Sequence, residues 1–378
     1  MVYYHDLYTA HAGGILNYTK ALIKHSPPGN RFIYWGKKGV ENTKNDYNNL
    51  EMHYLFSRYK VKFLPNILQF NFIVSKHRMQ IDNSGDILFL QLPELTFPWM
   101  FKNKGIPIVL RIPGCRKNDH MILSKTQVTF NKFADRTAIK CSDKVIVVSR
   151  EGYEYYTQKF PKHRNKIIHI PTFADDDMIP AVTKKEAARL LGLGSDKIIC
   201  YIGRLDKPKK LDLLIEVFYF LQKSFPSLIL CMAGKGPMKK KIEDLATERG
   251  IIEKIKFLGV LDRKNVGLLF RASDLNFLLT SFEGNSLSLM ESLACGTPSV
   301  VSDVADHKYI IQNGQNGYVV QNDSPEEIAL ISEDLLNNYP RLHQSTLRCG
   351  KKHLATNVVP KLIEVFHNTL REPQKGSS

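Results

Sequence analysis

The chain has 378 residues, of which 43% are hydrophobic, and it carries a formal net charge of +16. This length is sufficient for two domains with separate hydrophobic cores. No stretch reaches the roughly 18 consecutive apolar residues of a membrane span, and the first residues lack the pattern of a signal peptide. The composition therefore indicates a soluble, enzyme-sized protein and excludes an integral membrane protein.

The positive charge is concentrated in the first half of the chain. Residues 1–175 hold 26 lysines and arginines against 13 aspartates and glutamates, whereas the rest of the chain holds 27 against 24. Such an asymmetry indicates an anionic partner for the first half, and a generally basic soluble surface is the alternative interpretation. An anionic membrane surface and a phosphorylated acceptor both satisfy it. We expect no nucleic acid partner, because no recognisable RNA- or DNA-binding motif accompanies the charge.

Strand and helix patterns alternate along the chain, which predicts α/β architecture. The predicted strands are 87–92, 106–111, 144–148, 198–202, 228–232, 254–258, 275–280 and 299–302. The predicted helices are 15–23, 130–140, 211–223, 237–249, 264–271, 286–295 and 325–337. Residues 171–183 are polar and bounded by proline before a new strand–helix series begins, and we interpret them as the domain linker. The final residues, 371–378, are polar and predicted to be disordered.

The cysteines and histidines do not predict a metal site. The six cysteines have neither paired nor metal-ligand spacing, and the twelve histidines form no HxxxH cluster. Most of the cysteines lie in or beside apolar runs, which predicts buried free thiols in a reducing compartment. We therefore expect no protein-bound metal.

Glycines and cations follow several of the predicted strands. Gly203 and Arg204 end the strand 198–202, and further lysines up to Lys210 precede the next helix. Glycine permits close approach of a ligand, arginine can form two bonds to phosphate oxygens, and lysine supplies a mobile charge. Gly234 lies in a glycine-rich turn that matches neither GxxxxGK[ST] nor GxGxxG, so Walker NTPases and dinucleotide dehydrogenases lose their main support. The pair Gly13-Gly14 precedes a helix and offers backbone NH groups to an anion.

Two carboxylates, Glu283 and Glu291, are separated by eight positions around a predicted strand-to-helix loop. A glycosidase pair needs carboxyl groups about 5–9 Å apart, which this arrangement disfavours. A second interpretation is purely structural, because Ser288 and Glu291 match a capping box and Glu283 could be a solvated loop charge. A third is a sugar-nucleotide site in which one carboxylate binds the sugar and the other the ribose. The spacing alone leaves these alternatives open.

Taken in order, the motifs resemble those of the retaining glycosyltransferases of family 4, which have the GT-B fold of two Rossmann-like domains facing a cleft. The resemblance covers nearly the whole chain and is strongest from about Lys144 to Val320. It is carried by the GG pair, CSDKVIVVS (141–149), IPTFAD (170–175), GRL followed by lysine (203–210), GKGP (234–237), FLG (257–259), E-x7-E with ACGTP (283–298) and NGQNGYVV (313–320).

The resemblance implies an α/β GT-B protein with an acceptor-binding domain at 1–175 and a nucleotide-sugar-binding domain at 176–348. Residues 349–378 are expected to form a C-terminal helix that returns to the first domain and a disordered tail. The implied reaction is metal-independent, retaining transfer of a sugar from a nucleoside-diphosphate sugar, with a UDP-sugar favoured. The implied acceptor is a glycan or a lipid-linked molecule in surface polysaccharide or glycoconjugate synthesis. No cofactor is expected besides this donor co-substrate.

The same resemblance assigns residue roles. Arg204 and Lys210 would neutralise the diphosphate, Glu283 would bind the donor sugar, Glu291 would bind the ribose, and 259–261 would border the base. The implied catalytic residues are Arg204, Lys210 and Glu283. The implied donor-binding residues are Gly14, Gly203, Arg204, Lys210, Gly234, Gly259, Val260, Leu261, Glu283, Asn285, Ser286, Leu287 and Glu291. The implied acceptor-binding residues are Gly13, Arg111 and Arg116.

The chain departs from the family pattern at several points. Asn285-Ser286 stands where many members have Phe-Gly, and Leu211 follows the assigned lysine where glycine is usual. A His-Gly or His-Asp pair is common in the acceptor half of family members, and residues 110–114 stand at that place in this chain. The residue of the acceptor domain that would touch the reacting sugar is therefore not identified.

A segment of the first half combines aromatic residues with cations. Residues 56–64 interleave them around Arg58, Lys60 and Lys62, and the apolar run 68–74 follows. This suits a surface at an anionic leaflet, although a core-facing helix with a solvated basic edge fits equally well. We therefore expect a cytoplasmic protein, with peripheral attachment to the inner face of the membrane as an open alternative. A sugar-nucleotide epimerase or hydrolase of similar fold and a basic nucleic-acid-binding protein are the other functional alternatives.

Overall fold

The computed structural model describes residues 1–2, 14–37, 47–56, 65–100, 106–117, 123–194, 197–283 and 286–371. These residues form two compact units. Unit 1 comprises Met1–Pro171 together with the chain from Val358 onward, and unit 2 comprises Thr172–Asn357.

Unit 1 contains a parallel sheet. Its strands are β1 (Phe32–Lys37), β2 (Leu50–Phe56), β3 (Leu88–Leu90), β4 (Ile108–Ile112), β5 (Lys144–Val147) and β6 (Ile167–His169). The pairs are β1–β2 and β3-β4-β5-β6, and Val2 bridges Trp35 on β1 and Leu90 on β3. The described helices are α1 (Gly14–Lys24), α2 (Asn66–Lys76), α3 (Arg78–Asp82), α4 (Lys125–Cys141) and α5 (Arg150–Lys159).

Unit 2 contains a six-stranded parallel sheet. Its strands are β7 (Ile198–Ile202), β8 (Ile229–Ala233), β9 (Ile255–Gly259), β10 (Leu275–Leu278), β11 (Ser299–Ser302) and β12 (Gly317–Val320). Its helices are α6 (Lys184–Leu190), α7 (Leu211–Ser224), α8 (Lys239–Glu248), α9 (Arg263–Ala272), α10 (Leu287–Ala294), α11 (His307–Ile310), α12 (Pro325–Asn337) and α13 (Tyr339–Lys351). A last helix, α14 (Ala355–Arg371), continues from unit 2 into unit 1.

Alternation along the strands of unit 2 produces a core on each face of the sheet. On β7, Ile199 and Tyr201 pack into one hydrophobic cluster, whereas Ile198 and Cys200 pack into the other. Successive side chains of a strand point to opposite faces, so both faces of a parallel sheet covered by helices must be apolar. This explains why the strands of unit 2 are continuous apolar runs in the sequence.

The α/β prediction is confirmed, and the predicted strands lie within two residues of strands in the structure. The sequence patterns missed β1, β2, β6 and β12 and the helices α2, α3, α5, α6, α11 and α13. The six cysteines are unpaired; four are buried and two are half-buried. Among the described residues, no helix combines the length and the apolar character needed to cross a membrane.

Candidate functional site

The strand order of unit 2 defines where a ligand can bind. The order β12-β11-β10-β7-β8-β9 places the first and fourth strands of the unit side by side, and all pairs are parallel. This is a doubly wound arrangement, in which the connections on the β7 side and those on the β10 side cover opposite faces of the sheet. A crevice opens at the carboxyl ends of those two strands. The loops after β7 and β10 therefore border the candidate site.

The carboxyl ends of β7, β8 and β9 are held together by backbone bonds. The NH of Gly203 donates to the Ala233 carbonyl at 3.0 Å, and the NH of Gly234 donates to the Gly259 carbonyl at 2.6 Å. Gly234 has a φ of 141°, and a Cβ atom there would lie 1.8 Å from the Gly203 carbonyl oxygen. Only glycine fits this position, because any side chain would push the two loops apart. The glycine-rich turn thus keeps the loop after β7 in place.

Arg204 extends from this loop into solvent. Its side chain is 78% exposed, and one terminal nitrogen lies 2.7 Å from a carboxylate oxygen of Asp206. The backbone beneath it is fixed, because the buried Tyr201 hydroxyl donates to the Arg204 carbonyl at 2.7 Å. An exposed guanidinium on a rigid backbone is well suited to binding phosphate oxygens.

The structure places Lys209, rather than Lys210, beside Glu283. The Lys209 Nζ lies 2.5 Å from Glu283 Oε2, and the two side chains are only 13% and 18% exposed. Lys210 points elsewhere and bonds both carboxylate oxygens of Asp323 at 2.8 Å. The structure thus brings Lys209, and not the predicted Lys210, to Glu283, and the diphosphate role of Lys210 stays a prediction.

The backbone explains this shift by one residue. Lys210 precedes α7 in the left-handed conformation, with φ 40° and ψ 44°, which side-chain-bearing residues adopt at a cost. Members of the family usually have a glycine directly after the lysine of this motif. Lys210 occupies the position whose backbone conformation suits glycine. The lysine of the motif is thus Lys209, the last residue of the 3-10 turn Lys207–Lys209.

The loop after β10 is bonded to both of its neighbours. The Thr280 hydroxyl donates to the Pro208 carbonyl at 2.8 Å, and the Ser281 NH donates to the same oxygen at 2.9 Å. The Thr280 NH donates to the Ser302 hydroxyl at the end of β11 at 3.0 Å. These bonds position Glu283, three residues further on, against Lys209. Asn285 lies outside the described residues.

Helix α10 follows this loop, with Ser286 as its N-cap. The Ser286 hydroxyl accepts from the Leu289 NH at 3.3 Å, and Leu287 is the first helical residue. The capping-box interpretation of Glu291 is therefore wrong, because the N-cap is Ser286 rather than Ser288 and the N3 position is Leu289. Its buried carboxylate instead accepts from Arg263 of α9 at 2.5 Å. Burial raises the pKa of Glu291, and the charge of Arg263 opposes this shift.

The end of β9 presents a small apolar surface. Gly259 has a φ of 66°, Val260 is about half exposed, and Leu261 is partly buried against the apolar cluster on one face of the sheet. This arrangement fits the predicted position beside a nucleobase, which remains a prediction.

The residues predicted to bind an acceptor are placed differently by unit 1. Gly13 lies outside the described residues, and Gly14 is the first residue of α1. Arg111 is buried in β4, with its guanidinium 3.7 Å from the centre of the Tyr18 ring. Arg111 thus lies in the core of unit 1 and makes a cation–π contact with Tyr18, and its predicted role in acceptor binding stays a prediction.

Arg116 forms a partly buried ion-pair network. Its guanidinium lies 2.5 Å from Glu94 and 3.2 Å from Asp135, and the Tyr156 hydroxyl also donates to Asp135 at 3.2 Å. Burial raises the pKa of Asp135 to about 6, although Arg116 acts in the opposite direction. Arg116 lines a cavity of about 240 Å³ together with Lys117, Lys132 and Lys159 among others.

Comparison with known proteins identifies the second half of the chain. Residues 183–353 match the model of the family described as Glycosyl transferases group 1. The uncharacterized glycosyltransferase MJ1607 of Methanocaldococcus jannaschii is 29% identical over 204 residues, which are 52% of each chain. The chain thus spans about half the length of this relative.

Two solved structures show the fold. Sucrose-phosphate synthase from Thermosynechococcus elongatus has a TM-score of 0.84 at 15% identity, with 98% of both chains covered. Anabaena Alr3699/HepE in complex with UDP and glucose has a TM-score of 0.73 at 14% identity, with 97% of this chain and 98% of that chain covered. The predicted GT-B fold, an α/β fold with parallel sheets in two domains, is confirmed.

Sequence reasoning missed Lys209 and Arg263 at the candidate site. Lys209 could have been found by aligning Lys210 with the glycine that usually follows the lysine of the motif. Arg263 stands 28 positions before Glu291, and no motif signals their contact.

Proposed function

We propose that the chain is a retaining glycosyltransferase that moves a sugar from a nucleoside-diphosphate sugar to a glycan or lipid-linked acceptor. The observation that carries this proposal is the Lys209–Glu283 pair between the loops that follow β7 and β10, with the exposed Arg204 on the loop after β7. Cations can bind the diphosphate there while a carboxylate, which only accepts hydrogen bonds when ionised, binds sugar hydroxyls.

The cations would stabilise the leaving group. As the bond between the anomeric carbon and the diphosphate oxygen breaks, negative charge grows on the diphosphate. Fixed charges on Arg204 and Lys209 would stabilise that charge at little reorganisation cost. The acceptor oxygen would form the new bond on the same face, and its proton would pass to the departing diphosphate oxygen. This route retains the anomeric configuration and requires no nucleophile from the protein.

A UDP-sugar is the favoured donor. The similar fold of Alr3699/HepE, which was solved with UDP and glucose, supports this choice. The half-exposed Val260 beside Gly259 offers an apolar contact to a base. The diphosphate is assigned to arginine and lysine, so we propose that transfer is independent of divalent metal.

The charge of unit 1 supports an anionic acceptor or surface. The exposed side of α4 carries Lys132, Arg136 and Lys140 at helical spacing, with the half-exposed Phe133 beside them. The acidic residue of this helix, Asp135, is buried. We propose that this side of α4 contacts an anionic membrane surface that carries a lipid-linked acceptor. The earlier candidate, 56–64, lies outside the described residues except for Phe56, which ends β2.

Two experiments test the proposal. A thermal-shift screen of nucleoside diphosphates in EDTA should show a rise in melting temperature with at least one of them, because a ligand that binds the native state stabilises it. The donor that corresponds to this nucleotide is then incubated alone and with candidate glycan or lipid acceptors. Product that forms only with an acceptor supports a transferase, whereas turnover of the donor alone supports a hydrolase or an epimerase. Activity abolished by EDTA and restored by Mn²⁺ would contradict metal independence.

A further inference from the structure

His307 is a buried histidine in the loop that follows β11. Its side chain is 1% exposed, and it is the first residue of α11. Two residues earlier, Ala305 has a φ of 49°, a left-handed conformation that is rare for residues other than glycine. Such backbone strain persists only where surrounding contacts hold the chain, and it is frequent at functional sites.

The hydrogen bonds of His307 define which ring nitrogen carries the proton. Nδ1 lies 2.9 Å from the carbonyl oxygen of Ser302. A carbonyl oxygen only accepts, so Nδ1 must donate. Burial lowers the pKa of His307 below its usual value, which favours the neutral ring. Nε2 is then a bare acceptor, and among the described residues it has no hydrogen-bond partner although it is buried. A buried acceptor without a donor destabilises the folded protein, because it has lost its hydration without gaining a hydrogen bond.

A chain of hydrogen bonds connects His307 to the crevice. Ser302, which accepts from His307, also accepts the NH of Thr280 through its hydroxyl. Thr280 in turn donates to the carbonyl of Pro208, the residue before Lys209. Both members of the Lys209–Glu283 pair act on the pKa of His307, Glu283 raising it and Lys209 lowering it. The ring therefore lies on the side of the crevice bordered by β10 and β11.

The sheet order separates this side from the proposed base position. β11 is four strands away from β9, or about 19 Å at the usual spacing of 4.8 Å between neighbouring strands. A base that contacts Val260 after β9 is thus remote from His307. A diphosphate offers only acceptors at neutral pH and gives Nε2 no hydrogen. The ribose, whose hydroxyl groups are predicted to bind Glu291, lies on the base side of the diphosphate. The donor sugar is therefore the remaining part with hydroxyl groups that can donate.

We propose that Nε2 of His307 accepts a hydrogen bond from a hydroxyl group of the donor sugar. His307 is then a specificity-determining residue that favours sugars with a free hydroxyl at the contacted position. This inference rests on the proposed function, because it requires that a sugar nucleotide binds in the crevice of unit 2.

Two variants separate the two nitrogens of the ring. His307→Asn keeps a donor where Nδ1 stands and removes the acceptor at Nε2, whereas His307→Gln places an amide near Nε2. His343→Asn is the matched control, because His343 also bonds a carbonyl through Nδ1, that of Gly296 at 2.7 Å. Calorimetry measures the affinity of each protein for UDP and for UDP-glucose, and donor turnover gives kcat/KM. Thermal unfolding checks that each variant is folded.

We expect His307→Asn to bind UDP within about twofold of the wild type and to lose about 10- to 100-fold in kcat/KM for the donor. His307→Gln should recover part of this loss, and His343→Asn should show no difference between UDP and donor. Monodeoxy analogues of UDP-glucose identify the hydroxyl. The wild type should use one analogue with a lower kcat/KM than UDP-glucose. In His307→Asn, removal of the same hydroxyl should cause no further loss of kcat/KM.

The outcomes distinguish failure of this inference from failure of the proposed function. If the wild type binds neither UDP nor any other nucleoside diphosphate, the proposed function fails. If the wild type uses the donor but His307→Asn retains full kcat/KM or weakens UDP equally, the role of His307 is overturned and the transferase stands. If His307→Asn does not fold, the wild type with the deoxy analogues decides, and equal use of all of them overturns the inference.

Discussion

Replacing Lys209 should remove most of the transferase activity, whereas replacing Lys210 should not. Lys209→Met keeps the length of the side chain and removes the charge that pairs with Glu283 at 2.5 Å. Lys210→Gly removes the neighbouring charge and leaves a residue for which a φ of 40° is unstrained. The two variants differ by one position in the chain and test directly which lysine acts on the diphosphate.

The magnitudes follow from the surroundings of the two lysines. A fixed charge that stabilises a growing negative charge in a partly buried site contributes about 10²–10³ in kcat, or about 2.7–4 kcal/mol. Lys209 has such surroundings, because its side chain is 13% exposed. Lys210 pairs with Asp323 rather than with Glu283, so its loss leaves the Lys209–Glu283 pair in place. Because the Asp323 side chain is 57% exposed, losing this pair lowers the free energy of unfolding by at most about 1 kcal/mol. We therefore expect Lys209→Met to lose about 100-fold or more, and Lys210→Gly to stay within about fivefold of the wild type.

The assay is turnover of the UDP-sugar that the wild type uses, with kcat and KM measured separately. Thermal unfolding of each variant controls for loss of structure. Glu283→Gln is a further control: it should impair transfer far more than binding of UDP, because its proposed partner is the sugar. A large loss in Lys210→Gly together with wild-type turnover in a folded Lys209→Met protein would refute the reasoning.

Three further predictions concern the glycine turn, a buried acid and the surface of unit 1. Gly234→Ala should lower the melting temperature and weaken UDP binding together, since its Cβ would collide with the Gly203 carbonyl; unchanged binding would contradict the packing of these loops. Because burial raises the pKa of Asp135 to about 6, its contribution to stability is present below about pH 4 and lost as the pH rises through 6. Relative to Asp135→Asn, the wild-type free energy of unfolding in urea should fall by about 2 kcal/mol from pH 4 to 7, and a constant difference would disprove the shift. Serine at Lys132 and Arg136 should reduce sedimentation with anionic vesicles at low salt, without changing UDP affinity; wild-type protein that ignores such vesicles would remove the membrane proposal.

Five of the six strands of unit 2 were predictable because they obey one simple rule, and β12 was missed. Strands such as β7, buried on both faces, are continuous apolar runs separated by helices, and their glycine-containing ends are visible in the sequence. β2 was missed because its residues, LEMHYLF, are mostly half-buried and include a glutamate and a histidine. A strand with this pattern gives no continuous apolar run, so its pairing with β1 depends on contacts between distant segments.

The candidate site was predictable where it follows local sequence and not where it depends on backbone angles or tertiary contacts. Arg204 and Glu283 were identified from their loops. The choice between Lys209 and Lys210 depends on which residue adopts a positive φ, and that angle is determined by the entry into α7. The partner of Glu291, Arg263, comes from another helix, so no spacing within one segment reveals it.

Calorimetric titration of the wild type with UDP in EDTA, repeated with Lys209→Met, tests the central claim most directly. The account predicts that the wild type binds UDP without a divalent metal and that Lys209→Met binds it at least about tenfold more weakly, since one charge-assisted contact to the diphosphate is lost. Equal binding by the two folded proteins would contradict the proposed position of the diphosphate. Failure of the wild type to bind UDP or any other nucleoside diphosphate would contradict the proposed function itself.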